Sequence, residues 1–302
     1  MNYCTICGTT VEQEAGFHAS CLKRLFGSTR APKTSFVLSQ LSITAQKMIG
    51  KLSISGVQPK LSMKLNKREH ALEVVAEGGE YIFKPQVQTY PHLPENENLC
   101  MTIAATLGID VPPHALLKLD DGSYAYIIKR FDRENGEKIH QEDFQQITGG
   151  DDKYRGSYES IGRELRAISD IPGLDVQLFY ERVLFNFIIG NGDAHLKNFS
   201  ITHGPLGKIR LAPAYDIVSS KLVIPDEEDC ALTLLGRKNK LAGADFRAFA
   251  DYLGIPEKAR ENFCRDKKDV IQNCIDAYPC LADEDKSALK KIVDERCRRL
   301  AQ

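Results

Sequence analysis

The residue types best suited to chemistry lie in one polar loop, residues 190–198, which has the sequence GNGDAHLKN and follows a strongly apolar stretch. Within this loop, Asp193 precedes Asn198 by five positions (198 minus 193). Phosphoryl transfer needs a carboxylate that accepts the proton of the attacking hydroxyl and a nearby amide oxygen that holds magnesium. The spacing therefore predicts a general base at Asp193 and a metal ligand at Asn198.

A second metal-binding carboxylate is expected further along the chain. Asp216 lies eighteen residues after Asn198 (216 minus 198), in the segment Ala-Pro-Ala-Tyr-Asp-Ile that follows a strand-like run at residues 209–211. This position suits the second magnesium ligand of a phosphotransferase. The alternative is that both loops are ordinary turns, because Gly, Asn and Asp are common turn residues. The local sequence leaves both interpretations open.

A lysine that could grip phosphate oxygens ends the strand-like run Tyr-Ile-Phe-Lys at residues 81–84. Glu97 comes thirteen residues after Lys84 (97 minus 84) and lies early on a predicted helix. We expect Glu97 to hold Lys84 as an ion pair, which is a common way to position a phosphate-binding lysine. The alternative is a solvated lysine at the edge of a sheet.

The segment Ser-Ile-Ser-Gly-Val-Gln-Pro-Lys at residues 53–60 contains one glycine and does not match a Walker sequence. Considered alone, it is an ordinary strand-to-loop segment. Its position one hairpin ahead of Lys84 favours a loop whose backbone N–H groups, serine hydroxyls and Lys60 cover phosphate groups.

The N-terminus contains the pattern Cys4-x2-Cys7-x10-His18-x2-Cys21. Two pairs of thiol and imidazole ligands at this spacing can surround a tetrahedral zinc ion, and with all four positions filled the zinc would be structural. The alternative is a set of reduced, partly buried thiols. Four later cysteines have irregular spacing, which indicates core or surface thiols: Cys264, Cys274, Cys280 and Cys297.

The elements around these residues indicate an α+β protein. Alternating apolar residues predict strands between residues 52 and 85, with Gly78-Gly79 as a hairpin turn, and again between 116 and 130 around the turn at 120–122. Helices are predicted at residues 94–107, at the apolar stretch 178–189, and after Asp283 as a cap. We predict domains at residues 1–27, 28–131 and 132–302.

The composition excludes several classes of protein. Lys and Arg number 40 against 41 for Asp and Glu, so the chain alone is not expected to attract a polyanion such as DNA. We find no long apolar run and no secretory signal, so we expect a cytoplasmic protein without membrane contact. Nine cysteines are an odd number in a chain of 302 residues, which favours reduced thiols or metal binding over a disulfide scaffold.

Seven short motifs in one order make the family resemblance specific: S-I-S-G-V-Q-P-K-L, Y-I-F-K-P, E-N-E, I-K-R-F-D-R, H-Q-E-D-F, G-N-G-D-A-H-L-K-N-F-S and A-P-A-Y-D. With them the chain resembles the HipA-like Ser/Thr protein kinase toxins over about residues 50 to 220. It is most similar to the HipT branch of three-component HipBST toxin–antitoxin systems, because it lacks most of the N-terminal HipA subdomain and has Ser-Ile-Ser in the loop.

The resemblance implies a two-lobed protein-kinase-like fold. A small β-rich N-lobe with the ATP-covering loop and Lys84 would precede a larger helical C-lobe with the catalytic and metal loops. The N-terminal cysteines and histidine would form a short zinc-ribbon-like segment.

The resemblance also implies roles for individual residues. Asp193 resembles the catalytic base, Asn198 and Asp216 resemble the magnesium ligands, and Lys129 stands where an acidic residue is more common. Ser53 and Ser55 match serines that family members autophosphorylate, whereas His140 is assigned no catalytic role. The implied ATP-binding residues are Ser55, Gly56, Val57, Gln58, Pro59, Lys60, Lys84, Lys129, Arg130, Phe131, His195, Leu196, Lys197, Asn198, Tyr215 and Asp216.

The implied cofactors are ATP and Mg²⁺, with structural Zn²⁺ in addition. The implied substrate is a hydroxyl of a translation component such as an aminoacyl-tRNA synthetase. A HipB-like DNA-binding antitoxin and a small HipS-like protein are the implied partners, and DNA would be contacted only through the antitoxin. Two alternatives stay open: a catalytically idle kinase-fold module that binds an antitoxin in a DNA-bound repressor complex, and a small-molecule kinase.

Overall fold

A computed structural model of the chain describes residues 2–12, 16–34, 36–37, 58–134, 136–264 and 267–302. It has mixed helices and sheets that fall into two compact units. The first unit consists of Met1–Thr102, Pro112–Glu137 and Ala277–Leu281. The second unit consists of Ile103–Val111, Lys138–Asp276 and Ala282–Gln302.

The first unit begins with a small module that contains the cysteine and histidine pattern. Strands β1 (Asn2–Cys4) and β2 (Thr9–Val11) pair antiparallel, and helix α1 (Ala19–Phe26) follows them. Helix α1 buries Leu22, Leu25 and Phe26. These side chains belong to the same hydrophobic core as the large sheet of this unit, so the module is part of its packing.

The large sheet of the first unit has five antiparallel strands in the order β4-β3-β5-β7-β6. The strands are β3 (Leu61–Asn66), β4 (Ala71–Val74), β5 (Tyr81–Pro85), β6 (His114–Lys118) and β7 (Tyr124–Lys129). In β3, the buried residues Leu61, Met63 and Leu65 alternate with more exposed ones, whereas β6 and β7 each bury four consecutive residues.

The predicted hairpin at Gly78-Gly79 is wrong. Strand β3 pairs with β4 on one side and with β5 on the other, so the segment between β4 and β5 crosses over β3 and does not join two paired strands. Close approach to β3 explains the glycine, because a Cβ atom on Gly79 would lie 2.0 Å from the Ser62 hydroxyl oxygen and 3.2 Å from the backbone of Met63. Gly79 therefore allows tight packing against β3 and does not form the turn of a hairpin.

Helix α2 (Leu93–Thr106) carries Glu97 and is buried along most of its length, and a left-handed Gly108 follows it.

A two-stranded ribbon, β8 (Arg133–Glu134) and β9 (Glu137–Lys138), comes after the large sheet.

The second unit combines helices with a three-stranded antiparallel sheet in the order β10-β11-β12. Its strands are β10 (Gln141–Asp143), β11 (Ser200–His203) and β12 (Ile209–Leu211). Its helices are α3 (Phe144–Thr148), α4 (Tyr158–Ile168), α5 (Pro172–Ile189), α6 (Gly243–Tyr252), α7 (Glu257–Cys264), α8 (Lys267–Ala277) and α9 (Asp283–Leu300). The last residue of α8, Ala277, belongs to the first unit. Short 3-10 turns lie at Leu196–Asn198, Pro205–Gly207 and Ser220–Leu222.

Helix α5 is buried on nearly every face, as its apolar sequence predicts. It begins six residues earlier than the predicted start at 178 (178 minus 172), because Pro172 suits the first turn of a helix. It ends at Gly190, where φ is 71° and where a Cβ atom would lie 2.8 Å from Ile292 Cγ2 and 3.1 Å from Lys221 Cβ. The chain can therefore turn sharply into the polar loop at this point.

Helix α9 confirms the helix predicted near residue 283, and it buries Leu289, Val293 and Leu300 on one face. Asp283 was predicted to cap it, which is wrong: Ala282 is the cap residue and Asp283 is the first residue of the helix. An acidic residue there still suits the positive end of the helix dipole.

Among the described residues, we find no helix that is long and apolar enough to cross a membrane.

Candidate active site

The loop after α5 is fixed by hydrogen bonds that its backbone and the Asn191 side chain donate. The backbone N–H of Asn191 donates to Asn186 O over 2.8 Å, and its amide Nδ2 donates to Asn186 Oδ1 over 2.9 Å. The N–H of Gly192 donates to Ser220 Oγ over 2.8 Å. The loop therefore projects from the buried helix in a defined conformation, and the next side chain, Asp193, is exposed.

Asp193 accepts one side-chain hydrogen bond, from the hydroxyl of Tyr154 to Oδ1 over 2.8 Å. Burial is the main cause that raises the pKa of Tyr154 above its ordinary value, and the hydrogen bond to Asp193 raises it further. The phenol therefore keeps its proton and remains a donor. Asp193 thus has a carboxylate oriented by a neutral partner and accessible from solvent. These are the properties that a general base for a protein hydroxyl needs.

His195 is buried beside this carboxylate, and its ring lies edge-on to Tyr154 with 5.3 Å between the ring centroids. Burial lowers its pKa, although the nearby Asp193 opposes that change. The imidazole is therefore neutral at physiological pH. Its backbone N–H donates to Asn198 Oδ1 over 2.9 Å, which positions the amide of Asn198.

Asn198 and Asp216 lie next to each other. Asn198 Nδ2 and Asp216 Oδ2 are 3.5 Å apart, although the two residues are on different loops. Asp216 has φ of 55°, a left-handed conformation that Asp adopts more readily than most residues, and such conformations are concentrated at functional sites. The carboxylate oxygens and the second lone pair of the amide oxygen are hard donors, which fit Mg²⁺.

A recess in the second unit is lined by both metal-ligand candidates and by polar side chains from α5. Arg182 is buried there and donates from Nη1 to Ala212 O over 2.5 Å, and burial lowers its pKa to about 10. The Tyr215 hydroxyl donates to Lys197 O over 2.9 Å and so joins the loop that ends at Asn198 to the segment that carries Asp216.

The first unit brings Lys84 and Glu97 together. Lys84 Nζ lies 2.5 Å from Glu97 Oε1, and both side chains are almost completely buried. Lys84 is the fourth residue of β5, and its ammonium also lies 5.5 Å from the centre of the Tyr126 ring. A buried lysine held by a carboxylate on a neighbouring helix is the arrangement that positions a phosphate-gripping ammonium.

Residues 52–275 match the family model of the HipA-like C-terminal domain. The chain belongs to the HipA-like family. The resemblance predicted from the short motifs is therefore confirmed at the level of the family, because the match covers well over half of the chain.

Three curated proteins are similar to this HipA-like chain. A candidate kinase of Haemophilus influenzae is 31% identical over 303 residues, covering 91% of this chain and 87% of that protein. Candidate kinase Y4dM of Sinorhizobium fredii is 40% identical over 64% of this chain and 50% of that protein. The serine/threonine-protein kinase toxin HipA of Shewanella oneidensis is 31% identical over 68% of this chain and 52% of that protein. The chain thus spans about half the length of the last two proteins.

Two solved structures have related folds. A chain of the Shewanella oneidensis MR-1 toxin–antitoxin complex of HipA, HipB and operator DNA has a TM-score of 0.70 and 25% identity, covering 88% of this chain and 72% of that chain. Kinase CtkA of Helicobacter pylori has a TM-score of 0.54 and 15% identity, covering 83% and 92%. The predicted α+β, protein-kinase-like fold is confirmed.

Several other predicted site residues of this HipA-like chain lie at the end of β7. Lys129 is paired with Tyr81 in the sheet, and Arg130 binds Asp132 through two hydrogen bonds of 2.8 and 2.6 Å. Although burial disfavours the charged form, hydrogen bonds from Arg130 and Arg133 lower the pKa of Asp132. Asp132 therefore stays ionised and holds the segment that follows the sheet, including Phe131.

The predicted ATP-covering loop lies only partly within the described residues. Ser53, Ser55, Gly56 and Val57 fall outside them, so their predicted roles stay predictions. Gln58 Nε2 donates to Pro85 O over 2.8 Å, which brings the end of this segment beside the residue that follows Lys84. Lys60 is exposed.

The N-terminal module brings its four candidate ligands together. One ligand atom from each of Cys4, Cys7, His18 and Cys21 lies within 4.8 Å of all the others. Cys7 Sγ is 3.4 Å from His18 Nδ1, and Cys21 Sγ is 3.9 Å from the same nitrogen. Three soft thiol donors and an imidazole fit Zn²⁺. Eight of the nine cysteine side chains are described by the structure, and all eight are free thiols. The side chain of Cys264 lies outside the described residues.

Glu227 is a residue of this site that the sequence analysis missed. Its Oε1 accepts a 2.6 Å hydrogen bond from Ser220 and lies 3.3 Å from the N–H of Gly192. A Cβ atom on Gly192 would lie 2.6 Å from Glu227 Cδ and 2.6 Å from the backbone oxygen of Glu228, which is less able to move, so glycine favours this approach. The sequence signal for this contact is the glycine that precedes Asp193. That glycine does not indicate which carboxylate lies against it.

Proposed function

We propose that the chain is an ATP-dependent serine/threonine protein kinase of the HipA-like family, which transfers the γ-phosphate of ATP to a protein hydroxyl. The observation that carries the proposal is the grouping of an exposed, oriented Asp193 with the adjacent pair Asn198 and Asp216. The buried Lys84–Glu97 pair supports it independently. The names of the three relatives as kinases agree with this function.

In the proposed reaction, Asp193 orients the substrate hydroxyl and accepts its proton. The hydroxyl oxygen forms a bond to the γ-phosphorus, the bond between that phosphorus and the bridging oxygen breaks, and ADP leaves. Magnesium, when bound, neutralises phosphate charge, and Asn198 and Asp216 would hold it. Lys84 would grip phosphate oxygens, and Glu97 keeps its ammonium in position.

The remaining nucleotide contacts follow from the family resemblance. We propose that the segment from Ser55 to Lys60 covers the phosphates and that residues 129–131 lie behind the adenine. Residues 195–198, with Tyr215, would complete the binding of the nucleotide. Residue 129 is a lysine where an acidic residue is more common in the family. Its contact with the nucleotide would therefore differ from the family pattern.

The test of the proposed activity is turnover of γ-labelled ATP by purified protein, with peptides and bacterial lysate as acceptors. We expect Asp193→Asn to reduce phosphate transfer by about 10³-fold, because it removes the proton acceptor and leaves the fold intact. Asp226→Asn, an exposed carboxylate near the site in sequence, is the matched control. Equal transfer by wild type, Asp193→Asn and the control would contradict the assignment.

We propose that phosphorylation of Ser53 or Ser55 regulates the enzyme. A phosphate adds a charge of about −1.5 to −2 next to the phosphates of ATP, which would weaken nucleotide binding by repulsion. The double variant Ser53→Ala, Ser55→Ala is expected to lose self-labelling by γ-labelled ATP, whereas Ser123→Ala, in a described turn, keeps it. Undiminished incorporation in the double variant would refute both sites.

We propose that Cys4, Cys7, His18 and Cys21 hold a structural zinc ion. All four tetrahedral positions would be filled by the protein, which leaves none for a substrate. The ligands belong to a module that shares the hydrophobic core of the first unit, so the ion would stabilise that unit.

The partners are proposed from the relatives. The Shewanella structure contains HipA, HipB and operator DNA, which supports a HipB-like antitoxin as partner of this chain. With a net charge of −1, the chain is expected to contact DNA only through that partner. A HipS-like small protein, an aminoacyl-tRNA synthetase as target and a HipT-like identity rest on the family resemblance alone.

Two alternatives make different predictions in the same assay. A catalytically idle module would bind an antitoxin but show no transfer that depends on Asp193. A small-molecule kinase would phosphorylate an aminoglycoside or a similar alcohol in preference to peptides and lysate proteins. Asn198, Asp216 and the oriented Asp193 favour an active enzyme, because an idle fold has no need for all three.

A further inference from the structure

A second group of metal-binding side chains lies on the three-stranded sheet of the second unit. Gln141 of β10 is paired with Thr202 of β11, and the N–H of His203 donates to His140 O over 2.9 Å. His140 and His203 therefore face each other across the two strands. Glu142 lies two residues after His140, so its side chain projects from the same face of the sheet.

The three side chains converge on one point. His140 Nε2 is 3.3 Å and His203 Nε2 is 3.1 Å from the same carboxylate oxygen, Glu142 Oε2. The centroids of the two imidazole rings are 4.6 Å apart. Ligand atoms around a tetrahedral ion with bonds of about 2.0–2.1 Å lie roughly 3.3 Å apart, so these separations need little adjustment to hold an ion.

The donor set selects the class of ion. Two imidazole nitrogens and one carboxylate oxygen suit Zn²⁺, Co²⁺, Ni²⁺ or Cu²⁺, whereas Mg²⁺ takes oxygen donors and retains its water. His140 is 63% exposed and Glu142 is 37% exposed, so an ion could enter from solvent. This site is therefore chemically distinct from the pair Asn198 and Asp216.

The position of the cluster gives an ion there a structural consequence. Strand β11 continues directly from the loop that ends at Asn198, and β10 runs into α3, whose Phe144 N–H donates to Phe199 O over 3.0 Å. Gln141 Nε2 also donates to Ser200 Oγ over 3.1 Å. An ion held by His140 and His203 would fasten the two strands together at the opposite end of this ladder.

We propose that His140 Nε2, His203 Nε2 and Glu142 Oε2 form a second metal site, for a divalent transition metal ion of the zinc class. Three protein ligands leave at least one coordination position for water or for a side chain of another molecule. The site stabilises the β10–β11 ladder of the second unit when it is occupied. It does not depend on the proposed kinase activity.

The test is a metal titration of chelator-treated protein without an affinity tag. Binding of Zn²⁺, Ni²⁺ and Co²⁺ is measured by isothermal titration calorimetry in wild type, His203→Ala, Glu142→Gln and the control His70→Ala. The wild type and the control are expected to bind one ion more per chain than His203→Ala. Glu142→Gln is expected to bind that ion about tenfold more weakly, since it keeps both imidazoles but loses the anionic ligand.

Two further measurements distinguish metal binding at this site from binding by the N-terminal cysteines and from an effect of misfolding. Cobalt bound by thiolates absorbs strongly in the near ultraviolet, whereas cobalt at the proposed site shows only weak visible bands. Zinc should raise the melting temperature of the wild type more than that of His203→Ala, since binding to the folded state stabilises it. Equal stoichiometry, affinity and thermal shift in wild type and both cluster variants would overturn the proposal.

Discussion

At the scale of single residues, the environment of the loop around Asp193 matters as much as the residues themselves. Gly192 donates its N–H to Ser220 and approaches Glu227, and Ser220 in turn donates to Glu227. Burial raises the pKa of Glu227 from an ordinary value near 4.5 to about 7, although the bonds from Ser220 and Gly192 oppose that rise. The carboxyl group behind the proposed base therefore changes charge near physiological pH.

The pKa of Glu227 predicts how stability depends on pH. Because the folded-state pKa is the higher one, the stabilising effect is complete below about pH 4.5 and is lost as the pH rises through about 7. Glu227→Gln keeps the neutral form at every pH, so it should unfold at a temperature about 2–4 °C above wild type at pH 8, for a screened effect of about 1 kcal/mol. Melting curves at pH 5 and pH 8 measure this difference.

The exposed neighbour Glu228 provides the control for this prediction. Glu228→Gln should leave the difference between pH 5 and pH 8 unchanged, because its side chain is solvated. If Glu227→Gln loses stability with pH as steeply as wild type does, Glu227 does not titrate in this range.

At the scale of elements, the turn between the first two cysteines is attached to the helix that carries Glu97. Asn98 Nδ2 donates to Thr5 O over 3.0 Å, and Asn98 Oδ1 accepts from the Tyr278 hydroxyl over 2.9 Å. A Cβ atom on Gly8, the residue directly after Cys7, would lie 2.5 Å from Thr102 Cγ2, so the end of this segment also packs closely against α2. The proposed zinc ion would thus support the helix that positions Lys84.

Loss of the proposed zinc is therefore expected to loosen α2. Purified wild-type protein should contain one zinc ion per chain more than Cys4→Ser does. Amide hydrogen exchange over the first-unit part of α2 should be faster in Cys4→Ser, because the Thr5–Asn98 contact is no longer fixed. Mass spectrometry measures both the metal and the exchange.

The cysteine Cys274 gives a matched control, since it is half-buried in the second unit and is not among the proposed ligands. Cys274→Ser should retain the zinc and the slow exchange. A wild-type protein without zinc, or Cys4→Ser with unchanged exchange in α2, would contradict the coupling. Asn98→Ala should retain zinc and still exchange faster, with about 1–3 kcal/mol less stability.

At the scale of the whole molecule, each unit has its own means of stabilisation. The second unit holds its last helix by ionic contacts of Arg296 and Arg299 with Asp229, and Arg296 also lies over the ring of Phe187 in α5, 4.7 Å from its centre. Burial disfavours ionised Asp229, but hydrogen bonds from Arg299 and Arg296 lower its pKa. The network joins helix α9, helix α5 and the segment that carries Asp229.

Breaking this network should destabilise the protein more than a surface change does. Asp229→Asn removes the buried counter-ion of Arg296 and leaves this arginine with the half-exposed Glu295 at 3.4 Å, so we expect the free energy of unfolding to fall by about 3–5 kcal/mol. Urea unfolding followed by circular dichroism measures this loss. Arg298→Ala, an exposed arginine on the same helix, should change it by about 0.5 kcal/mol or less. Similar stability of the two variants would show that the ionic network contributes little.

The features that depend on local pattern can be predicted without coordinates. The apolar run of α5 predicted a buried helix, the ligand spacing predicted the N-terminal cluster, and the motif order predicted the family. Each of these signals lies within a short segment, so its period or spacing can be read without knowing the rest of the fold. The position of Gly108 after α2 was predictable for the same reason.

Which distant segments of the chain meet depends on how the folded chain packs. The crossing of β3 by the segment that contains Gly79, the contact of Glu227 with Gly192, and the convergence of His140, Glu142 and His203 all join residues whose spacing carries no signal. Strand pairing and side-chain burial depend on the whole packed chain, and a glycine needed for close approach has the same letter as a glycine needed for a turn. The types of residue were visible in the sequence, but their neighbours were set by packing.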